Sequence, residues 1–231
     1  MIEANLLLKE GVFLIDKPPK KSSFFLVSVL RRVTKIKKIG HCGTLDPFAT
    51  GVMVMLVGKN YTRRSAEFMN MDKTYSATIK LGQSTDSYDI DGIITNESPL
   101  IPSLTSIEKE LENFQGEVDQ VPPMFSAKKV NGKKLYELAR KGEEIARQPV
   151  KVQMAIQIVE YSYPYLKINV ECSKGTYIRS IAHDLGEKLG SFGHLSELVR
   201  TKSGNFNLSQ CITLDQINTE GFDYQTHLMQ L

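Results

Sequence analysis

The stretch Gly40-His41-Cys42-Gly43-Thr44-Leu45-Asp46-Pro47-Phe48-Ala49-Thr50-Gly51 runs straight into Val52-Met53-Val54-Met55-Leu56-Val57. The apolar run is the pattern of a central strand or a buried helix turn, and it is far too short to span a bilayer. The loop before it carries one carboxylate, Asp46, among residues with special backbone preferences. Pro47 fixes its own φ and biases Asp46 toward extended geometry. Gly43 and Gly51 permit angles or close approaches that a side chain would block. A carboxylate held this way serves as a pre-aimed nucleophile or base. Asp and Pro are also ordinary turn residues, and on the loop alone both readings stand.

Upstream, Gly11 to Asp16 reads as a short buried strand stopped by Lys17-Pro18-Pro19. Ser22 or Ser23 offers an N-cap, and Phe24, Val27, Leu30, Val33 and Ile36 recur at helical spacing up to Lys38. Arg31, Arg32, Lys35, Lys37 and Lys38 crowd the end of this helix, where cations suit the dipole, and Gly40 is expected to end it. Downstream, Tyr61 to Met71 looks helical, and Thr74 to Leu81 alternates as a half-buried strand. Gln83 to Gly92 is an aspartate-rich turn region, and Leu104 to Phe114 has a helical pattern closed by Gly116. From Val121 to Pro149 the chain turns basic and strand signals vanish, as in an insertion laid over a core. Lys151 to Tyr163 and Tyr165 to Cys172 read as a hairpin, Thr176 to Leu189 as a helix, and Gly193 to Phe206 as a strand. Strands and helices mixed without regular βαβ alternation predict an α+β fold around a largely antiparallel, mixed sheet flanked by helices. One domain over residues 1–231, with an insertion at about 121–150, is expected.

The 231 residues are 41% hydrophobic and 24% charged, ordinary for a globular protein. The net charge of +3 is mild, but basic residues cluster at Lys17 to Lys38 and Lys128 to Lys151. Two such zones suit a polyanion bound on one face, or two solvated helix faces. Cys42, Cys172 and Cys211 are too scattered for a disulfide framework, which points to a reduced, cytoplasmic setting. Around Glu3, Lys9 and Glu10 no signal peptide is evident. Gly51 to Asn60 fails as a phosphate loop, because its spacer is apolar and Asn60 stands where Ser or Thr binds magnesium. Ser87 to Ser98 fails as a calcium loop for want of the bidentate glutamate. His41, His183, His194 and His227 lack metal-ligand spacing, and neither a nucleophile elbow nor a dinucleotide fingerprint is present. No cofactor or metal site is therefore detectable.

Four further pieces stand beside the Asp46 loop. Lys73-Thr74-Tyr75 opens a strand with a ring able to stack on a base, though a core tyrosine has the same pattern. Ser173-Lys174-Gly175-Thr176-Tyr177-Ile178-Arg179 joins a strand to a helix start, suited to phosphate or to orienting a carboxylate. The others are the basic segment Ser126 to Tyr136 and the segment Leu195 to Gly204, in which Leu198 and Val199 precede Arg200 and Lys202. In this order, from about Gly11 to Phe206, and with Leu81 to Gly92 as a further match, the pieces resemble the bacterial tRNA pseudouridine-55 synthases of the TruB type.

That resemblance implies a pseudouridine synthase-like catalytic domain that isomerises uridine 55 in the T-loop of tRNA, without cofactor or metal. Asp46 is then the essential carboxylate, through a ribose adduct, a base adduct or proton transfer. Arg179 is expected to pair with it, and Tyr75 to stack on the flipped uracil near its C5 proton. Leu198 would line the pocket, and His41 would support the loop where the base had been. Tyr177 belongs to the substrate-binding junction. Asp89 would contact bases or order basic neighbours, Lys17 and Lys20 would touch phosphates, and Lys129 and Lys133 would belong to an RNA clamp ordered by contact. The expected partner is the tRNA T-arm, for a monomer with no obligatory protein partner and no membrane. Two rival readings share the scaffold: a non-catalytic RNA chaperone and a synthase for another uridine. Two departures stand out. Lys20 occupies the position where the family motif Asp-Lys-Pro-x-Gly-x-Ser/Thr-Ser has glycine, leaving the turn before the first helix unexplained. Only about two dozen residues follow Phe206, so no separate C-terminal RNA-binding PUA domain is expected, and tRNA binding should be weaker and more salt-sensitive than in longer relatives.

Overall fold

A computed structural model describes residues 9–130 and 132–231; Glu3 and Asn131 lie outside the described residues. The described chain divides into two compact units, one of the residues up to Lys73 with Val199–Leu231 and one of Thr74–Leu198. The first unit opens with β1 (Gly11–Lys17), α1 (Ser23–Thr34), β2 (Ile39–Cys42), β3 (Thr50–Val57), α2 (Lys59–Arg63) and α3 (Ser65–Met69). The second carries β4 (Lys73–Leu81), β5 (Gln83–Thr85), β6 (Ile94–Glu97), α4 (Leu104–Leu111), β7 (Gly116–Gln120), β8 (Lys129–Val130), β9 (Lys133–Lys134), α5 (Leu135–Ala139), β10 (Val150–Ser162), β11 (Tyr165–Cys172) and α6 (Ile178–Leu189). Strand β12 (Gly193–Ser203) begins in the second unit and ends in the first, which closes with β13 (Phe206–Asn207) and α7 (Leu214–Ile217).

In the first unit the apolar run is the interior of β3, and all of Val52–Val57 is inaccessible to solvent. Successive side chains of a strand point to opposite faces, so burial of every one means that both faces of β3 are covered, and both of its edges are paired as well. Along one edge β1 runs antiparallel, from Gly11 opposite Val57 to Lys17 opposite Gly51. The other edge is shared by β2, antiparallel from Ile39 opposite Val57, and by the end of β12, parallel with Arg200 opposite Gly51. The sheet here is thus mixed and mostly antiparallel, as the sequence predicts.

Helix α1 differs from its periodicity in two ways. Ser22 caps it, accepting from the Phe25 N–H at 3.2 Å, but it stops at Thr34 rather than Lys38. Lys35 takes a left-handed φ of 60° and its N–H closes on the Arg31 carbonyl, a C-cap that leaves Gly40 to join β2. The buried residues are Ser23, Leu26, Val27, Val29, Leu30 and Thr34, and Phe24 points outward at 61% exposure. Ser23 sets this rotation, because its hydroxyl exchanges two hydrogen bonds with the backbone of buried Leu45. The predicted helix Tyr61 to Met71 is broken at Arg64 into α2 and α3.

In the second unit the strands lie in the order β12-β4-β11-β10-β7. Burial alternates strictly along β4 and β11, the signature of a sheet with one face in the core. β10 and β11 form the predicted antiparallel hairpin, with a register shift between Ile158 and Glu160 that leaves Val159 half exposed. The basic insertion is not free of strands: β8 and β9 pair as a small hairpin, Lys129 opposite Lys134. With α5 it encloses its own apolar cluster of Met124, Leu135 and Leu138, flanked by Val130, Ala139 and Ile145. Among the described residues no helix is long and apolar enough to cross a membrane.

Candidate functional site

In the first unit, the Asp46 loop links β2 to β3 and is braced from inside. Asp46 is half-buried between buried Leu45 and Ala49, and its carbonyl accepts from the Ala49 N–H at 3.2 Å in a tight turn. Lys17, at the end of β1, is fully buried and donates to the carbonyls of Pro18, Pro47 and Ala49 at 3.0, 3.0 and 2.6 Å. Its ammonium has three protons and three acceptors, so it is spent inside the protein. This corrects the expected phosphate contact: the double proline that ends β1 directs Lys17 under the loop instead of toward solvent. Burial lowers its pKa to about 8, partly opposed by the nearby Asp46 carboxylate.

Arg200, 1% exposed, supports the other end of the loop, with Nε donating to the Val52 carbonyl at 2.7 Å and Nη2 to the Gly43 carbonyl at 3.2 Å. The approach depends on Gly51, since a Cβ there would stand 2.3 Å from the Arg200 carbonyl oxygen, and its φ is +103°. The Lys20 N–H donates to the Pro47 carbonyl at 2.8 Å, tying the turn before α1 to the residue after Asp46. Lys20 itself is exposed and holds the left-handed φ of 61° that the family's glycine would adopt freely. His41 is opposite Met55 in β2, and its Nδ1 is buried without a hydrogen-bond partner. Burial, then the charge of Arg200, pushes its pKa down, which favours the neutral ring.

The second unit holds Arg179 in the first turn of α6, 5% exposed. Its Nη1 donates to the Ser87 carbonyl at 3.0 Å and lies 3.4 Å from Asp89 Oδ2, while Nη2 donates to the Phe125 carbonyl at 2.8 Å. Asp89 is equally buried, and its Oδ1 accepts from the Ser87 hydroxyl at 2.6 Å and the Asp91 N–H at 3.1 Å. Of the two roles expected for Asp89, this geometry fits ordering a basic residue. Tyr88 between them has φ +66°, and its ring stacks on His183 at 3.7 Å. Tyr177 caps α6, clasped by Gln120, whose Oε1 accepts from its N–H at 2.7 Å and whose Nε2 donates to its carbonyl at 3.0 Å. Tyr75 on β4 and Leu198 on β12 are both buried, and Lys129 and Lys133 stand exposed on the insertion hairpin.

Sequence reasoning missed the bracing roles of Lys17, Arg200 and Ser23, and the carbonyl acceptors of Ser87 and Phe125 around Arg179. A lysine closing an apolar strand and an arginine directly after Leu198-Val199 were the available signals, since burying either charge demands internal partners. Among the described residues no three His, Cys, Asp or Glu side chains gather as a metal site would require.

Comparison with known proteins bears on these two clusters. Residues 31–178 match the family model of the TruB family pseudouridylate synthase N-terminal domain, and 179–230 match that of the tRNA pseudouridylate synthase B C-terminal domain. The chain is 58% identical over 210 residues to tRNA pseudouridine synthase B of Protochlamydia amoebophila, covering 91% of this chain and 80% of that protein. It is 53% identical over 221 residues to the protein of the same name from Chlamydia abortus, covering 96% and 94% of the two chains. Among solved structures it is similar to a chain of a Cbf5–Nop10–Gar1 complex, with a TM-score of 0.71 and 27% identity over 90% of this chain, which spans 54% of that one. An H/ACA ribonucleoprotein bound to a substrate RNA is similar as well, with a TM-score of 0.67 and 26% identity over 95% of this chain and 56% of that one.

Proposed function

The chain belongs to the TruB family of pseudouridylate synthases, and from that premise we propose that it isomerises uridine 55 in the T-loop of tRNA to pseudouridine, with Asp46 as the essential carboxylate. The N1–C1′ bond breaks, the base turns, C5 bonds to C1′, the C5 proton leaves and N1 takes one up, so the reaction is redox-neutral. The target base leaves its stack first, at a cost of about a few kcal/mol. Asp46 acts on the freed ribose or base, and Arg179 orients it in the RNA complex. Asp89, sharing buried surroundings with Arg179, holds that guanidinium in place. Tyr75 stacks on the uracil and stands by its C5 proton, and Leu198 forms part of the apolar wall. His41 stays neutral and supports the loop rather than moving protons, in keeping with its lowered pKa. Tyr177 faces substrate at the start of α6. Lys20, Lys129 and Lys133 meet phosphates, the last two from an insertion that closes on the T-arm. The enzyme works in the cytoplasm as a monomer.

The observation that carries this reading is the loop geometry: Lys17 and Arg200 grip its carbonyls from within and fix the backbone on either side of the Asp46 carboxylate. The test is a T-arm stem-loop carrying tritium at uridine C5. Release from the uridine equivalent to position 55, and none once cytidine replaces it, is expected. No release at low salt by folded protein overturns the proposal.

A further inference from the structure

Helix α1 turns two phenylalanines to solvent in its first turn, Phe24 at 61% and Phe25 at 36% exposure. Exposed rings on a cationic helix face offer flat apolar surface on which a base can stack. Each ring is accompanied by a cation: Lys21 Nζ is 5.0 Å from the Phe25 centroid and the Arg31 guanidinium 5.9 Å from that of Phe24. The same outward face continues through Ser28, Arg31, Arg32 and Lys35, all exposed. Between Asp16 and Asp46 the chain has no acidic residue at all. Two rings set in an uninterrupted positive field suit a partner that is both aromatic and anionic, as an unpaired nucleotide is.

Position sharpens the assignment. Ser23, next to Phe24, is hydrogen-bonded both ways to Leu45, the residue before Asp46. Lys20, next to Lys21, is bonded to Pro47, the residue after it. The aromatic step is therefore fastened on both sides of the carboxylate. We propose that Phe24 and Phe25 form a stacking platform for an unpaired nucleotide of the substrate RNA beside the Asp46 loop, with Lys20, Lys21 and Arg31 meeting its phosphates. This rests on the pseudouridine synthase reading and adds a substrate contact to it. A protein partner would call for a broader apolar surface than two rings among cations.

The chain contains no tryptophan, so Phe24→Trp introduces a single tryptophan at the platform, which can be excited selectively over the tyrosines. Titration with the T-arm stem-loop should quench it saturably. Phe24→Ala with Phe25→Ala should weaken RNA affinity by about 5- to 150-fold per stacked base while leaving the salt dependence unchanged. The paired leucine substitutions, which keep apolar bulk without a ring, should behave like the alanines. Lys20→Ala with Lys21→Ala should lower the salt slope by slightly under one per lost phosphate contact. If the double alanine variant binds within about twofold of the wild type, or the fluorescence of the Phe24→Trp protein is indifferent to saturating RNA, the platform is refuted. A wild type that releases label in the same assay separates that outcome from failure of the reading on which it rests.

Discussion

Replacing Lys17 with methionine separates an internal brace from a phosphate contact. The substitution keeps the length of the side chain and removes the ammonium that bonds Pro18, Pro47 and Ala49. The buried Ala49 carbonyl loses its donor outright, and the two partly buried carbonyls lose most of theirs, a gross cost of about 4–6 kcal/mol. Against this stands the penalty of holding a charge in the interior. A pKa lowered from 10.5 to about 8 corresponds to roughly 3 kcal/mol that methionine does not incur. The net is a destabilisation of about 2 kcal/mol, or roughly 4–8 °C in Tm for a chain of this size. Because the bonds lost to Pro47 and Ala49 hold the backbone that directly follows Asp46, kcat should fall on the order of 100-fold, the cost of a misplacement near 1 Å. Thermal unfolding, single-turnover label release and RNA binding across a salt series provide the readouts. RNA affinity and its salt slope should stay at wild-type values. If instead Tm and kcat hold while affinity drops and the slope falls by slightly under one, Lys17 is a phosphate ligand and the brace is wrong.

Lys20→Gly relieves a left-handed backbone and should stabilise by about 0.5–1 kcal/mol after the entropy of the added glycine is charged, read as a higher denaturant midpoint. An unchanged or lower midpoint would contradict it. Asp89→Ala leaves Arg179 buried beside an empty space and should cost about 3–5 kcal/mol in urea unfolding, far more than an exposed aspartate would. Asp184, on α6, has its pKa raised to about 6, chiefly by burial. Its folded carboxyl thus keeps a proton that the unfolded one releases near 3.8, so this group adds stability at low pH that is lost as pH rises through about 6. Asp184→Asn should accordingly raise Tm at about pH 7.5 and change it little at about pH 4.5; an equal gain at both would refute the assignment.

The strands with clean alternation, Thr74 to Leu81 and the hairpin from Lys151, were legible because burial of one face writes a period of two into the sequence. The continuous run of β3 was legible as buried, but its partners were not, since a strand covered on both faces carries no periodic mark and the sequence does not record which strands lie along its edges. Helix α1 ended early because Lys35 accepted a left-handed cap without glycine, and Phe24 faced outward because Ser23 was pulled under Leu45. Neither event has a local signal: each is decided by contacts that the helical periodicity does not register. The same holds at the site. Asp46 and Arg179 stood out through motif resemblance, whereas the brace of Lys17 and Arg200 depends on carbonyls that no side-chain pattern reveals. Of the two expected departures, the absent glycine at Lys20 proved informative, marking a turn that must be left-handed to reach Pro47.

On the proposed function Asp46 performs the chemistry and is not merely part of a turn. Asp46→Asn, measured in parallel for T-arm binding and for single-turnover release of C5 label, tests it most directly. The grip of Lys17 and Arg200 falls on carbonyls that this substitution leaves in place, so affinity should remain within about twofold while release is abolished. Release at a rate near the wild type, or loss of binding in the same proportion as turnover, would contradict the account.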